Sequence, residues 1–559
     1  MPGERSPAIS TLVRTTEPQA RPHAVRPPAR PYARPYVRPR ARLASYAQLL
    51  APAVLALVLG LWGIRRGGTL WADEAVTLEI AQRDVSEIWQ TLGTVDAVHG
   101  LYYLLMHGVF EVWGMWGLSG DGPGLVALRL PSVLATAAAA AGVGALGARL
   151  AGRRVGLLAG LVFPLLPVVQ RYAQEGRSYA LVCALVTWAT WLLLRAMDRP
   201  GRRRLWAGYA GLLLVAALLH EFAVLALSAH AVTVARSALP AAVTRAWRVA
   251  ACAVVAGLAP LGVVSLTQSA QVDWIGPPTT AELLAFVGLS AAGGVCAYVA
   301  PGGVMSRTTA DADADAGGTG GGPVRAPAGR APALPTLPAL ALPLLVLPSA
   351  LLIGLSPLRQ LYVDRYVLFY AVGLALLVGA ALDRLTRPIR LKRPALTPIA
   401  RLVPRTTTVL ALAAAFVALV PAGSHLRSPD SRKNDVVAIA EAVKETARPG
   451  DGLMFLPSRR RVWTLVRPAD FRGLTDLALR ASPRASHTLY GTELPAAEIR
   501  ERVPDFRRIV AVHDLAGQPL DDTDQEAAKR AALREGYEVC GTRRVTGARI
   551  TVYARPGAC

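Results

Sequence analysis

The chain has 559 residues, of which 53% are hydrophobic and only 18% charged, with a mean hydropathy of +0.35. Soluble domains carry roughly 25% charged residues. This composition therefore excludes a soluble globular protein and a chain disordered throughout, and points to a multi-span membrane protein. Lys and Arg number 61 against 38 Asp and Glu, a net charge of +23. In a membrane protein that excess is first a topology signal, and no nucleic-acid partner is expected.

Residues 1–43 hold nine Arg and nine Pro. Such a segment cannot bury a core and is expected to be a disordered cytoplasmic tail touching anionic membrane lipids. A multi-span membrane domain is expected over 44–421, with apolar stretches near 46–64, 127–147, 155–169, 179–195, 206–219, 222–236, 249–266, 283–300, 334–353, 365–383 and 406–421. Some fall short of the ~20 residues a bilayer needs. With the N-terminus inside, the inner loops GARLAGRR, RAMDRPGRRR, RSALPAAVTRAWR and DRLTRPIRLKRPALTPIAR are all basic. The outer loops mix signs and hold most of the acidic residues, so eleven spans satisfy the positive-inside rule. Residues 301–333 read as a flexible cytoplasmic linker. Their DADAD run has neither the glycine position nor the final Glu of a calcium loop.

Residues 422–559 are polar and regain mixed periodicity. NDVVAIAEAVKETA predicts a helix with Asn434 as its cap, GLMFLP and RIVAVHD predict strands, DQEAAKRAALREG a second helix, and 537–554 a terminal hairpin. Together they predict a small extracytoplasmic α/β domain. Cys183, Cys252 and Cys296 lie in apolar runs and read as small hydrophobes, whereas Cys540 and Cys559 are the pair suited to an oxidising compartment.

Charged groups beside apolar spans are functional candidates by default. The first outer loop, of about 60 residues, is long enough to be functional in its own right. It carries Asp73 and Glu74 next to Trp71, then Asp96, His99, Tyr102, Tyr103 and His107. His99, Tyr103 and His107 recur every fourth residue and share a helical face; the alternative for them is an interfacial helix with aromatic anchors. The third span ends with Arg171, Gln174, Glu175 and Arg177. Positive charge there runs against the inside rule, and guanidinium suits phosphate because its donors bind oxygens as a fork. Glu175 is placed to hold either Arg. His220 and Glu221 occupy another outer turn without an HExxH pattern, and Arg129 and Arg365 begin spans from the outer side. No GxxxxGK[ST] phosphate loop, GxSxG nucleophile elbow or metal-ligand spacing appears, so neither cofactor nor metal is expected. A carboxylate beside an arginine set at an outer face fits a lipid-phosphate-linked substrate. The carboxylate takes a proton from an acceptor hydroxyl and the guanidinium groups steady the departing phosphate.

The motifs Trp71-Ala-Asp73-Glu74-Ala, Asp96-Ala-Val-His99-Gly-Leu-Tyr102-Tyr103, Arg129-Leu-Pro-Ser and Gln174-Glu175-Gly-Arg177-Ser-Tyr179 resemble those of the GT-C glycosyltransferases. Within that superfamily they look most like the family 39-like membrane mannosyltransferases of actinomycetes. The resemblance implies a polytopic helical fold, a polyprenyl-phosphate sugar donor, acceptor activation by Asp73 and outer arginines on the donor phosphate; Asp73 is accordingly the expected general base, with Glu74 in support and Asp96 as the alternative. Arg177 matches that last role best, joined by Arg171 or Arg365. The acceptor is a glycan, a lipid or a protein; protein O-mannosyltransferases carry a β-trefoil where this chain has an α/β tail, a departure that argues against protein. The alternatives are a transporter or lipid flippase, whose polar groups usually lie at mid-membrane in repeated halves, and a scaffold whose tail binds cell-wall polymer.

Overall fold

The computed structural model describes residues 39–115, 124–237, 239–272, 274–300, 335–387, 414 and 417–559 apart from 519. The arginine- and proline-rich tail as far as 38, the 301–333 linker with its DADAD run and most of the 406–421 stretch lie outside these residues. Residues 46–559 form one compact unit.

Helix α1 (Pro39–Leu61) leads into a first loop that is itself helical, comprising α2 (Ala72–Ala81), α3 (Val85–Thr94) and α4 (Gly100–Met115). There follow α5 (Leu125–Ala151), α6 (Arg153–Val162), α7 (Pro167–Ala173), α8 (Tyr179–Asp198), α9 (Arg203–Leu219), α10 (Ala226–Arg236), α11 (Ala241–Thr267), α12 (Thr280–Val299), α13 (Leu337–Leu355) and α14 (Tyr370–Leu385). Apart from 406–421, every apolar stretch expected from the sequence is helical. Among the described residues, six stretches are long and apolar enough to cross a bilayer: 46–68, 125–151, 179–198, 241–267, 280–299 and 337–355. The pair α6 and α7, bent by 64°, makes a seventh if it counts as one broken span. Prolines at 164 and 167 account for the bend, since neither can donate to a continuing helical ladder. Helices α9, α10 and α14 have 17, 11 and 16 residues and fall below that length.

Small residues let the helices touch through their backbones, as is usual where lipid removes the hydrophobic drive for association. A Cβ placed on Gly147 of α5 would lie 2.8 Å from the Cα of Gly156 on α6. The outer helices instead turn apolar side chains away from the protein. Val263 and Leu266 of α11 and Leu284 and Tyr298 of α12 are all more than 60% exposed, as side chains facing lipid would be.

The chain ends in an α/β unit. It runs through α15 (Val436–Thr446), β1 (Gly452–Leu456), β2 (Thr475–Asp476), β3 (Leu479–Ala481), α16 (Pro483–Ser486), β4 (Thr492–Glu493), α17 (Ala496–Arg502), β5 (Arg508–His513), α18 (Asp524–Gly536), β6 (Glu538–Val545) and β7 (Ala548–Ala554). The main sheet has the order β2-β1-β5-β7-β6, with β1 parallel to β2 and β5, and β7 antiparallel to β5 and β6. The expected helices, strands and hairpin are all present, and Cys540 is joined to Cys559. One detail differs from expectation. Asp435, not Asn434, caps α15 through Val437 N at 3.1 Å. Asn434 accepts instead from Ala72 N at the start of α2, at 2.8 Å.

Candidate active site

Two adjacent acidic residues on a helix diverge by about 100°, and the first turn of α2 uses that divergence. Glu74 turns inward and is fully buried. Arg129 of α5 grips it as a fork, with Nε to Oε1 at 2.8 Å and Nη2 to Oε2 at 2.7 Å. Gly176 N donates to Oε1 at 3.0 Å, and Arg66 Nη1 lies 3.8 Å from Oε2. Arg129 also donates to the carbonyls of Ile64 and Thr69. Burial alone would favour the neutral acid, yet Arg129 and Arg66 hold the Glu74 carboxyl down at about 2. This ion pair ties α2, α5 and the 174–178 turn into one rigid junction.

Asp96 forms a second junction. Its backbone is left-handed, at φ 60° and ψ 30°, a conformation Asp tolerates better than most residues. The turn brings its carboxylate to His99 Nδ1 at 2.8 Å and to the Tyr103 hydroxyl, which donates to Oδ2. Arg177 Nη1 reaches the Tyr103 hydroxyl at 3.2 Å and Thr77 Oγ1 at 3.4 Å. Burial opposes charge on Asp96, but His99, Arg177 and Tyr103 together hold it well below the usual carboxylate range.

Asp73, on the other side of the α2 turn, stays partly open, with its side chain 29% exposed. Its carboxylate faces Arg365 Nη2 at 3.7 Å. The Arg365 guanidinium sits within 5.6–5.8 Å of the rings of Trp71, Tyr179, Trp274 and Tyr366 and donates from Nε to the Tyr179 hydroxyl at 3.1 Å. Such an aromatic surround orients a cation without neutralising it. His220 packs on Tyr366 and Tyr179, with His99 beyond it at 5.9 Å between ring centres. Burial, with His99, Arg177 and Arg365 nearby, keeps the His220 imidazole neutral by lowering its pKa well below the ordinary value.

Buried polar atoms almost always have partners. Around this cluster, however, Trp71 Nε1, His99 Nε2, Tyr102 Oη, Glu175 Oε2, Arg177 Nε, Ser178 Oγ and His220 Nδ1 have none among the described residues. A set of unpaired donors and acceptors gathered beside a half-open carboxylate is what a polar ligand would complete.

Asp73, Asp96, His99, Tyr102, Glu175, Arg177, His220 and Arg365 are thus brought to one region, with Glu74 and Arg129 locked together beneath it. Arg171 is not part of it: its side chain is exposed, lies over the ring of Tyr172, and its carbonyl accepts from Arg432. Glu221 turns toward Ser265 of α11. His107 binds the Ala81 carbonyl and fastens α4 to α2. Sequence reasoning did not single out Tyr366, Trp274, Ser178 or Arg66. Tyr366 follows Arg365 directly and was the most accessible of these, whereas Trp274 reaches the cage from a loop 91 positions before Arg365 and carries no local signal. Among the described residues no group of His, Cys, Asp and Glu is arranged to hold a metal ion.

No protein-family model matches the sequence, and no curated protein matches it. Solved structures do share its fold. ArnT from Cupriavidus metallidurans in the apo state aligns with a TM-score of 0.52 at 12% identity, covering 91% of this chain and 98% of that one. The same protein bound to undecaprenyl phosphate aligns with a TM-score of 0.50 at 14% identity, covering 90% and 97%. The mycobacterial arabinofuranosyltransferase AftD aligns with a TM-score of 0.47 at 18% identity, over 90% of this chain and 41% of its own. The chain therefore shares the fold of ArnT, a mostly helical architecture that here ends in a small C-terminal sheet domain.

Proposed function

We propose that this protein is a membrane glycosyltransferase that moves a sugar, mannose in the reading favoured here, from a polyprenyl-phosphate donor to an acceptor hydroxyl at the outer face of the cytoplasmic membrane. The observation that carries the reading is the half-open Asp73 opposite the caged Arg365, bordered by buried polar atoms without partners. The fold shared with a protein crystallised with undecaprenyl phosphate supports the choice of donor. Tyr366, Tyr179, Trp71 and Trp274 supply flat apolar faces of the kind that pack on sugar rings.

In this mechanism Asp73 accepts the proton of the acceptor hydroxyl as its oxygen attacks the anomeric carbon. The bond from that carbon to the phosphate oxygen breaks, and its electron pair stays on the polyprenyl phosphate. Arg365 and Arg177 meet the growing negative charge, since preorganised donors at a developing anion are often the largest catalytic contribution. Glu74 and Arg129 keep α2 and the 174–178 turn in register. Asp96 steers His99 and Tyr103, and is the alternative base.

The basic inner loops support a cytoplasmic N-terminus, eleven spans and an extracytoplasmic C-terminal domain. A reporter active only outside should give signal when fused after residue 430 and none after residue 310. For the chemistry, protein reconstituted with polyprenyl-phosphate mannose labelled in the sugar should transfer label to an envelope acceptor. Transfer should survive chelator, and nucleotide sugar should not replace the donor. Strict need for a divalent ion, or direct use of nucleotide sugar, contradicts the mechanism.

A further inference from the structure

The first loop and the C-terminal domain are joined by hydrogen bonds beside Asp73. Val436 N donates to the Leu70 carbonyl at 2.7 Å, and Leu70 N points to Asp435 Oδ1 at 3.4 Å. Two residues on, Ala72 N donates to Asn434 Oδ1 at 2.8 Å. The first amides of a helix have no partner within it and are normally met by a side-chain oxygen at the preceding position. In α2 that position is Trp71, which makes no side-chain cap bond. The amide next to Asp73 is instead capped by a residue 362 positions away.

Asn434 is itself held from behind. Asp435 N donates to the Thr546 carbonyl at 3.1 Å. The next residue, Gly547, has φ +86°, and a Cβ there would fall 2.3 Å from Asn434 Cβ. The β6–β7 turn therefore closes on Asn434 through contact that only glycine permits, and the Cys540–Cys559 bond fastens the same hairpin at its other end.

We infer that Asn434 is a positioning residue for Asp73, and that supplying this cap is a task of the C-terminal domain. The inference rests on the reading of Asp73 as general base. A cap fixes the first turn of α2, and Asp73 is the residue directly after the capped amide. A misplacement of about 1 Å at a reacting group can cost ~100-fold in rate. Asn434→Ala removes the oxygen, while Asn434→Asp keeps an acceptor that serves equally at a helix start.

The test uses the full-length protein in two assays. In lipid nanodiscs, amide hydrogen exchange is followed over residues 72–77. In cells, the donor pool is followed by extracting polyprenyl-phosphate sugars. Asn434→Ala should speed exchange at 72–77 roughly 5–10-fold and make the lipid-linked sugar accumulate, with thermal unfolding of the C-terminal domain unchanged. Asn434→Asp should restore both. Unchanged exchange in Asn434→Ala overturns the inference, as does failure of Asn434→Asp to restore it. Faster exchange without accumulation also overturns it. In that case Asp73→Asn separates the causes: accumulation with Asp73→Asn leaves the base assignment standing, and its absence removes that assignment too.

Discussion

Arg365 and Asp73 face one another at 3.7 Å, and neither is closed into a tight ion pair. Charge-assisted bonds usually run about 2.7–2.9 Å, so the gap leaves both groups able to engage a substrate. Glu74, one residue along, shows the contrasting state: its carboxylate is fully buried and bound by Arg129, Arg66 and a backbone amide. Adjacent carboxylates thus take separate places, one half-open opposite Arg365 and one fixed in the frame.

If guanidinium forks hold the departing phosphate, charge alone is not enough. Lys keeps the charge and loses the planar fork and its stacking on aromatic rings. Arg365→Lys and Arg177→Lys should each lose most transfer activity, and the alanine variants nearly all of it. Arg171, which is exposed and outside the cluster, should tolerate alanine with at most a small loss. These outcomes are read from initial rates of label transfer at saturating donor.

The Glu74–Arg129 pair predicts a stability effect. Removing one member leaves the other charged and buried, which typically costs about 3–5 kcal/mol. Arg129→Ala should lower the thermal midpoint of the protein in detergent and reduce its yield. Asp73→Asn should leave both unchanged. Equal melting of Arg129→Ala and wild type would show that the junction is not structural.

Glu175 predicts a dependence on pH. Burial pushes its carboxyl up to about 7 from an ordinary value near 4.5, with Arg432 and Arg365 acting in the opposite sense. Between those values the folded protein holds a proton that the unfolded chain releases, so stability falls as pH rises from about 4.5 to about 7. Glu175→Gln cannot release that proton and should remove this part of the slope. Midpoints recorded from pH 5 to pH 8 for both proteins check this: the variant gains on wild type toward pH 7.

The apolar helices, the α/β tail and the main cluster were legible because each has a local signature. Long apolar runs mark the helices, short apolar runs mark β1 and β5, and charges between apolar runs mark the polar cluster. That Glu74 is buried against Arg129 while Asp73 stays half-open was not legible, because it depends on which side of α2 meets α5. Nor was Asn434 as a cap for α2. Its sequence position beside a helical run pointed to α15, and only the docking of the C-terminal domain redirects its side chain. Arg171 read like Arg177 in sequence. Arg171 lies on the exposed side of α7, whereas Arg177 sits in the turn after that helix and is buried.

The Cys540–Cys559 bond closes a loop of 19 positions at the end of the chain. A crosslink over a loop of this size is worth roughly 3 kcal/mol in the chain-entropy account. Cys540→Ser should therefore lower the unfolding midpoint of the C-terminal domain, and alkylation of wild type without reductant should leave both thiols unlabelled. Labelling of Cys540 and Cys559 in protein taken from intact cells contradicts the bridge.

In the proposed mechanism Asp73 drives consumption of a polyprenyl-phosphate sugar. The most direct test of that role is extraction of lipid-linked sugars from a strain lacking this protein, complemented with wild type or with Asp73→Asn. A polyprenyl-phosphate sugar should accumulate in the uncomplemented strain, fall to its basal level with wild type, and accumulate again with Asp73→Asn at equal protein level. Clearance of the lipid-linked sugar by Asp73→Asn, to the level reached with wild type, would contradict it.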